Sequence, residues 1–263
     1  KIWEKVLKRL TLLNKHYPLK GKMCHVEEIQ RLFQYGTKKT LMKGGKRRVP
    51  SGYEEEEEYL NDIEQRIFVT VRNVLIDQGC VFFGALANRL YLKDLKKLKK
   101  RKIPKIPDFD VLSEDPESTT RIMKERLDDL GIKGVKIKKK PGVGEIIAPH
   151  YEVSVGPETV AFIYQPIACH SYNIINIKGR KMRIATLDTM LSFYLAFAYV
   201  NRPYYNENRI LCMSQYLFKV QEKNRLKQHG LLKRFSIDCY GKQSTIEKMR
   251  EEKADMFKKL KNK

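Results

Sequence analysis

The chain has 263 residues, with 53 Lys and Arg against 31 Asp and Glu, a formal net charge of +22. Its 42% hydrophobic content supplies one or two cores, whereas 15 Gly and only 5 Cys exclude collagen-like and disulfide-dense designs. The positive excess calls for a polyanionic partner, and charge alone leaves nucleic acid, a nucleoside triphosphate and an anionic membrane surface as candidates.

Lys1–Tyr53 is a basic N-terminal segment with weak helical patterning and a Lys-, Arg- and Gly-rich stretch at Lys38–Gly52. The acidic run Glu54–Glu58 opens a helical pattern in which Leu60, Ile63, Ile67, Val71, Val74 and Leu75 recur at spacings of three and four. Gly79 ends that helix, Cys80–Phe83 reads as a short buried strand, and Gly84 turns directly into a helix over Ala85–Leu95. A basic, Pro-punctuated loop at Lys96–Pro107 precedes a strand at Phe109–Leu112. Pro116 leads into a helix over Ser118–Leu130, ended by Gly131. Strands follow at Val135–Lys139, Ile146–Val155 and Thr159–Gln165, the last two joined by the turn Gly156-Pro157-Glu158.

Beyond these strands the pattern becomes helical. Leu187, Met190, Leu191, Tyr194, Leu195 and Ala198 mark an amphipathic helix with Thr186 as N-cap. Asn208–His229, ended by Gly230, reads as another helix, and a charged helix runs from about Thr245 onward. The organisation is a segment 1–53, a mixed α/β unit 54–185 and a helical region 186–263. The longest uncharged stretch, Thr159–Ile177, carries Gln165, Pro166, His170 and Asn173, which a membrane-spanning helix would not tolerate. Cys24, Cys80, Cys169, Cys212 and Cys239 show no CxxC spacing, so they read as free thiols of a reducing compartment rather than a zinc site. Cytosolic residence is the default.

The pattern that carries chemistry is Phe82-Phe83-Gly84-Ala85 followed, 24 residues after Gly84, by Asp108-Phe109-Asp110. Side chains alternate along a strand, so Asp108 and Asp110 share one face while Phe109 enters the core. Two neighbouring carboxylates repel until a cation neutralises them, and magnesium suits hard carboxylate and phosphate oxygens. Gly84 permits close backbone approach, and the helix N-terminus after it presents free N–H groups to phosphate. A lone Asp-x-Asp at a strand start is common in proteins without catalysis; the strand-Gly-helix before it is what raises its meaning.

This arrangement resembles the polymerase-β-like nucleotidyltransferase superfamily, with its hydrophobic-Gly-[Gly/Ser] turn and Asp-x-Asp strand. The segments FFGALANRLY, IPDFDVLS, RIATLDTMLSFYLAFAY and CYGKQST are most similar to poly(A) polymerases of large DNA viruses. The resemblance, over roughly residues 60–250, implies an α/β (α+β) nucleotidyltransferase core with a mixed sheet and flanking helical elements. It implies template-independent transfer of AMP from ATP to RNA 3′ ends by two-metal phosphoryl transfer, with Mg2+ or Mn2+ held by Asp108 and Asp110 and the triphosphate supported by Gly84 and Ala85. A homodimer or processivity subunit and a host-cytoplasmic setting follow by resemblance alone.

Two departures from the family pattern stand out. Ala85 replaces the second small Gly or Ser, and Ala161 stands where a third carboxylate is expected. Such a loss, engineered or natural, cripples chemistry while sparing binding; on this reading Ala161→Asp restores ATP incorporation. Glu152, on a face with His150 and Ser154, and Glu158, in the turn, are nearby stand-ins. The rival readings are a non-catalytic RNA-binding module and a nucleotidyltransferase of other nucleotide specificity.

Basic clusters occur at Lys93–Lys105, with eight basic residues, at Lys133, Lys136 and Lys138–Lys140, and at Lys178, Arg180, Lys181 and Arg183. In the resembling enzymes a Lys of the last region meets the triphosphate, which points to Lys181. Tyr199, Tyr204 and Tyr205 around Arg202 suit base stacking, whereas Tyr194 keeps the core period. Cys24-His25 and Cys169-His170 are sequence neighbours only and read as structural.

Overall fold

A computed structural model of the chain describes residues 62–92, 108–144, 146–177, 179–200, 207–227, 229–234, 236, 238–242 and 245–261. The predicted features at Lys1–Tyr53, Glu54–Glu58, Cys24-His25, Lys93–Pro107, Lys178 and Arg202–Tyr205 lie outside the described residues. Helix α1 (Asp62–Asp77) buries Phe68, Val71, Val74 and Leu75, while Ile63 of its first turn is exposed. Strand β1 (Val81–Phe83) runs straight into α2 (Gly84–Leu92), and β2 (Phe109–Leu112) follows.

Helix α3 (Pro116–Asp129) begins two residues before the predicted start. Asp115 caps it by accepting the Ser118 N–H at 3.0 Å, and Pro116, which has no N–H to lose, fills the first turn. Gly131, at φ +74°, closes the other end: its N–H donates to Asp128 O at 2.8 Å, and that of Ile132 to Leu127 O at 3.0 Å.

Strands β3 (Val135–Lys140), β4 (His150–Val155) and β5 (Glu158–Tyr164) form an antiparallel meander. The predicted strand from Ile146 shortens to His150, because Val143 N–H donates to Ile147 O at 2.8 Å in a separate tight loop and Pro149 has no N–H for a ladder. Three strands were not anticipated: β6 (His170–Ile177), β7 (Arg180–Ala185) and β8 (Cys239–Tyr240). In β6 polar and apolar residues mix on both faces, so no clean alternation marks it. Helices α4 (Leu187–Val200), α5 (Glu207–Lys223) and α6 (Ile246–Lys261), with a short 3-10 turn at Gly230–Leu232, complete the described elements. Thr186 caps α4 as predicted, accepting the Thr189 N–H at 3.3 Å.

The eight strands make one mixed sheet in the order β3-β4-β5-β2-β1-β7-β6-β8. The fold is therefore the mixed α/β arrangement that the sequence implied, with the β2–β5 and β1–β7 pairs parallel. Register partners project to the same face, so one row reads Lys138, Glu152, Phe162, Asp110, Phe83. The adjacent row, Ile137, Val153, Ala161, Phe109, projects to the other. That second face is closed: Phe109 stacks on Phe68 of α1 at 5.0 Å, and Met123 and Leu127 of α3 are fully buried. On the first face α4 covers only part of the sheet, through Phe193 on Phe83 at 4.6 Å and Phe197 on Tyr164 at 6.0 Å.

The pairing of β6 with β8 corrects the cysteine reading. It carries Cys169 and Cys239, 70 residues apart, to a Cα separation of 5.3 Å, where they form a disulfide. Sequence order could not show this, and the cysteine pattern no longer argues for a reducing compartment. Cys80 is a free thiol, buried, with its pKa pushed up to about 12 by that burial. No described helix is long and apolar enough to cross a membrane.

Candidate active site

The antiparallel pair β1–β2 places Phe83 opposite Asp110, so the Gly84 turn stands directly beside that carboxylate. Gly84 adopts φ +69°, and a Cβ there would collide with the Asp110 side chain. Glycine is thus required twice, for backbone conformation and for space. The Asp110 carboxylate accepts the Ala85 N–H at the start of α2. Burial raises its proton affinity well above the usual carboxylate range, and the Asp108 charge raises it further. Arg209 and the Ala85 N–H oppose that shift.

Three further polar residues stand behind this pair, and the sequence reading did not place any of them in the site. Asn88, one turn into α2 and fully buried, donates from Nδ2 to the Tyr194 hydroxyl of α4. The Tyr194 phenol is pushed above its ordinary pKa by burial first and then by the Asp110 charge, while Arg209 acts in the opposite direction. Arg209, in the first turn of α5, therefore lies within electrostatic reach of both groups. An asparagine among the mostly apolar residues of Ala85–Leu92 is a legible signal. Arg209, about a hundred residues from Asp110, offered none.

Other sequence candidates fall elsewhere. Ala161 pairs with Phe109 rather than with either acid, and it is fully buried in the closed face. Register instead sets Phe162 beside Asp110, and by continuation Val160 beside Asp108. Glu152 does share the Asp110 face, two strands away, and is engaged by Lys140 Nζ at 2.9 Å and by the Thr159 hydroxyl at 2.9 Å. Glu158 pairs with Val155 at the far end of β5.

Lys181 is not brought to the acids. Because β7 runs parallel to β1 with Val81 opposite Arg183, Ala185 is level with Phe83, and Lys181 lies ~13 Å down the strand. Arg180 bonds Asp77 at 3.0 Å, and Arg183 donates to Gly79 O at 2.7 Å with its guanidinium over the rings of Tyr172 and Tyr240. His170 packs on Phe193 at 5.0 Å beside the bridged Cys169, which agrees with a structural role for that pair. Tyr194 is indeed buried, as its period implied. Tyr199 lies in the last turn of α4, half-buried. Among the described residues, no group of three or more His, Cys, Asp or Glu could hold a metal ion.

The same fold occurs in a protein of known structure. The chain shares its nucleotidyltransferase fold with the Megavirus polyadenylate synthase, at a TM-score of 0.58 and 14% identity over 99% of this chain. It spans about half of that protein's length, 49%. A second similar structure is ANT(2″)-Ia in complex with adenylyl-2″-tobramycin, with a TM-score of 0.31 and 13% identity over 61% of this chain and 96% of the other. No protein-family model and no curated protein matches the sequence.

Proposed function

We propose that this chain transfers AMP from ATP to RNA 3′ ends without a template. The observation that carries the reading is the seating of the Asp110 carboxylate against the Gly84–Ala85 turn, with Asp108 on the same side. The donor set suits Mg2+ or Mn2+: two hard carboxylates, mutually repulsive, leave further coordination positions to phosphate and water. Asp108 and Asp110 would hold the ion. When bound, it neutralises triphosphate charge and acidifies the attacking 3′-hydroxyl.

The chain's own groups do the rest. The Ala85 N–H orients Asp110, and the positive end of the α2 dipole favours phosphate at the Gly84 turn. Arg209 offsets part of the negative charge that collects there. Direct attack of the 3′-hydroxyl oxygen on the α-phosphorus breaks the bond to the β-phosphate, releases pyrophosphate and needs no covalent intermediate. RNA and ATP are the partners on this reading, in a host cytoplasm; a second copy or processivity subunit remains an expectation of the resemblance. An incorporation assay with an oligo(A) primer and each of the four triphosphates tests it. ATP-dependent extension is the expected result, and extension with another nucleotide reassigns the specificity.

A second reading has its own observation. No third acid joins the pair among the described residues, since Val160 and Phe162 occupy the register positions beside Asp108 and Asp110. A binding module that kept the fold would look the same. Magnesium-dependent ATP binding abolished by Asp108→Ala supports the enzyme; RNA binding indifferent to ATP, magnesium and Asp108 supports the module.

A further inference from the structure

The face that carries Asp110 continues past it to the edge strand β3, where it becomes exposed. From β2 the register row passes to Phe162, half-buried, then Glu152, and then Lys138 on the edge strand β3. Lys136 and Lys140 flank Lys138 on the same face, because side chains two apart on a strand project together. Lys136 and Lys138 are exposed. Glu152 is the acid of this row beyond Asp110, and Lys140 already holds it at 2.9 Å. The helices that cover this side reach Phe83 and Tyr164, beside which His150 is buried; beyond them Phe162 and Glu152 are half-buried and Lys138 is exposed.

We propose that this four-strand surface is the seat of a single-stranded RNA 3′ arm. Phe162 stacks a base next to Asp110, and Lys136 and Lys138 take the phosphates farther from the end. Three strand spacings separate Lys138 from Asp110, ~14 Å, within the span over which sheet faces in other folds bind two or three stacked bases. An aromatic ring beside the acids and cations at the rim is the chemistry of a sequence-tolerant single-strand platform. This assignment rests on the nucleotidyl-transfer reading for the direction in which the strand runs.

The test measures binding of a fluorescent oligo(A) to the full chain without ATP or magnesium, across a salt series. Joint Lys136→Gln and Lys138→Gln substitution is expected to lower the slope of log affinity against log salt by about 1.4, at about 0.7 for each phosphate no longer neutralised. Phe162→Leu is expected to weaken binding roughly tenfold with the slope unchanged, and Phe162→Tyr to restore it. A control pair, Lys258→Gln with Lys259→Gln on the exposed helix α6, is expected to change neither. The proposal is overturned if the β3 pair matters no more than the control pair. It is also overturned if that pair weakens ATP binding but not RNA binding, or only promotes aggregation as edge lysines guard against. Failure of the incorporation assay with these binding results intact rejects the catalytic reading and leaves the surface standing.

Discussion

The row Ile137, Val153, Ala161, Phe109 and the row Lys138, Glu152, Phe162, Asp110 sit one residue apart on the same four strands. The first ends in full burial against α1 and α3, with Val153, Ala161 and Phe109 at no more than 1% exposure. The second carries an acid, an aromatic ring, an ion-paired glutamate and an exposed lysine. Strand parity alone separates a packing layer from a chemical one. A residue can therefore be right in distance along the chain and wrong in face, as Ala161 is relative to the two acids.

The strongest way to press this contrast is on the chemical row. Asp110→Asn should reduce nucleotide incorporation by about a thousandfold or more, equivalent to ~4 kcal/mol at the transition state. It should leave the metal-free chain no less stable, because burial and Asp108 already penalise the charged form. Single-turnover kinetics and thermal unfolding of the same variant check both halves. The closed row predicts the converse. Ala161→Asp places a carboxylate between Phe109 and Val153 and should cost about 3–5 kcal/mol without a gain of activity, read by denaturant unfolding. Val160→Asp, on the acid-bearing face, should preserve the fold and tighten Mn2+ binding by calorimetry.

Smaller effects sharpen the boundary between the rows. Gly84→Ala, which must hold φ +69° against the Asp110 side chain, should destabilise by about 2–3 kcal/mol and weaken triphosphate binding. Tyr194→Phe removes the partner of the buried Asn88 amide and should cost about 1–2 kcal/mol in chemical unfolding. The smallest effect concerns His150, stacked on Tyr164 at 4.4 Å, whose imidazole is held below its ordinary pKa by burial and then by Lys140. The folded chain then binds fewer protons than the unfolded one. Its contribution is complete above the ordinary imidazole range and lost as pH falls through the depressed value. His150→Leu should flatten part of the stability loss between about pH 7 and pH 5, measured by melting temperature.

What the sequence disclosed follows from which signals are local. The Gly84 turn, the Asp-x-Asp strand, the Gly131 stop and the Thr186 cap each depend on a few consecutive residues, and all four appear in the structure. Lys181 went astray because its place depends on β7 aligning with β1 about a hundred residues earlier, a pairing no local pattern announces. Arg209 went unseen for a similar reason, since only the packing of α5 near α2 sets it beside Asp110. The Cys169–Cys239 bridge required β8, a strand of two residues, too short to leave a period.

The company Asp110 keeps also sets an order of events during synthesis. Strand β2 leaves the ribosome well before Tyr194 and Arg209 exist, and β1 waits for β7 to complete its second edge. Until the later strands and helices pack around it, the carboxylate stays hydrated, and the burial that is the main cause of its raised proton affinity is missing. That burial, which gives it an unusual hold on a proton, is acquired late, through contacts of high sequence separation whose closure is slow. A nascent chain thus holds both acids long before it holds the environment that distinguishes them.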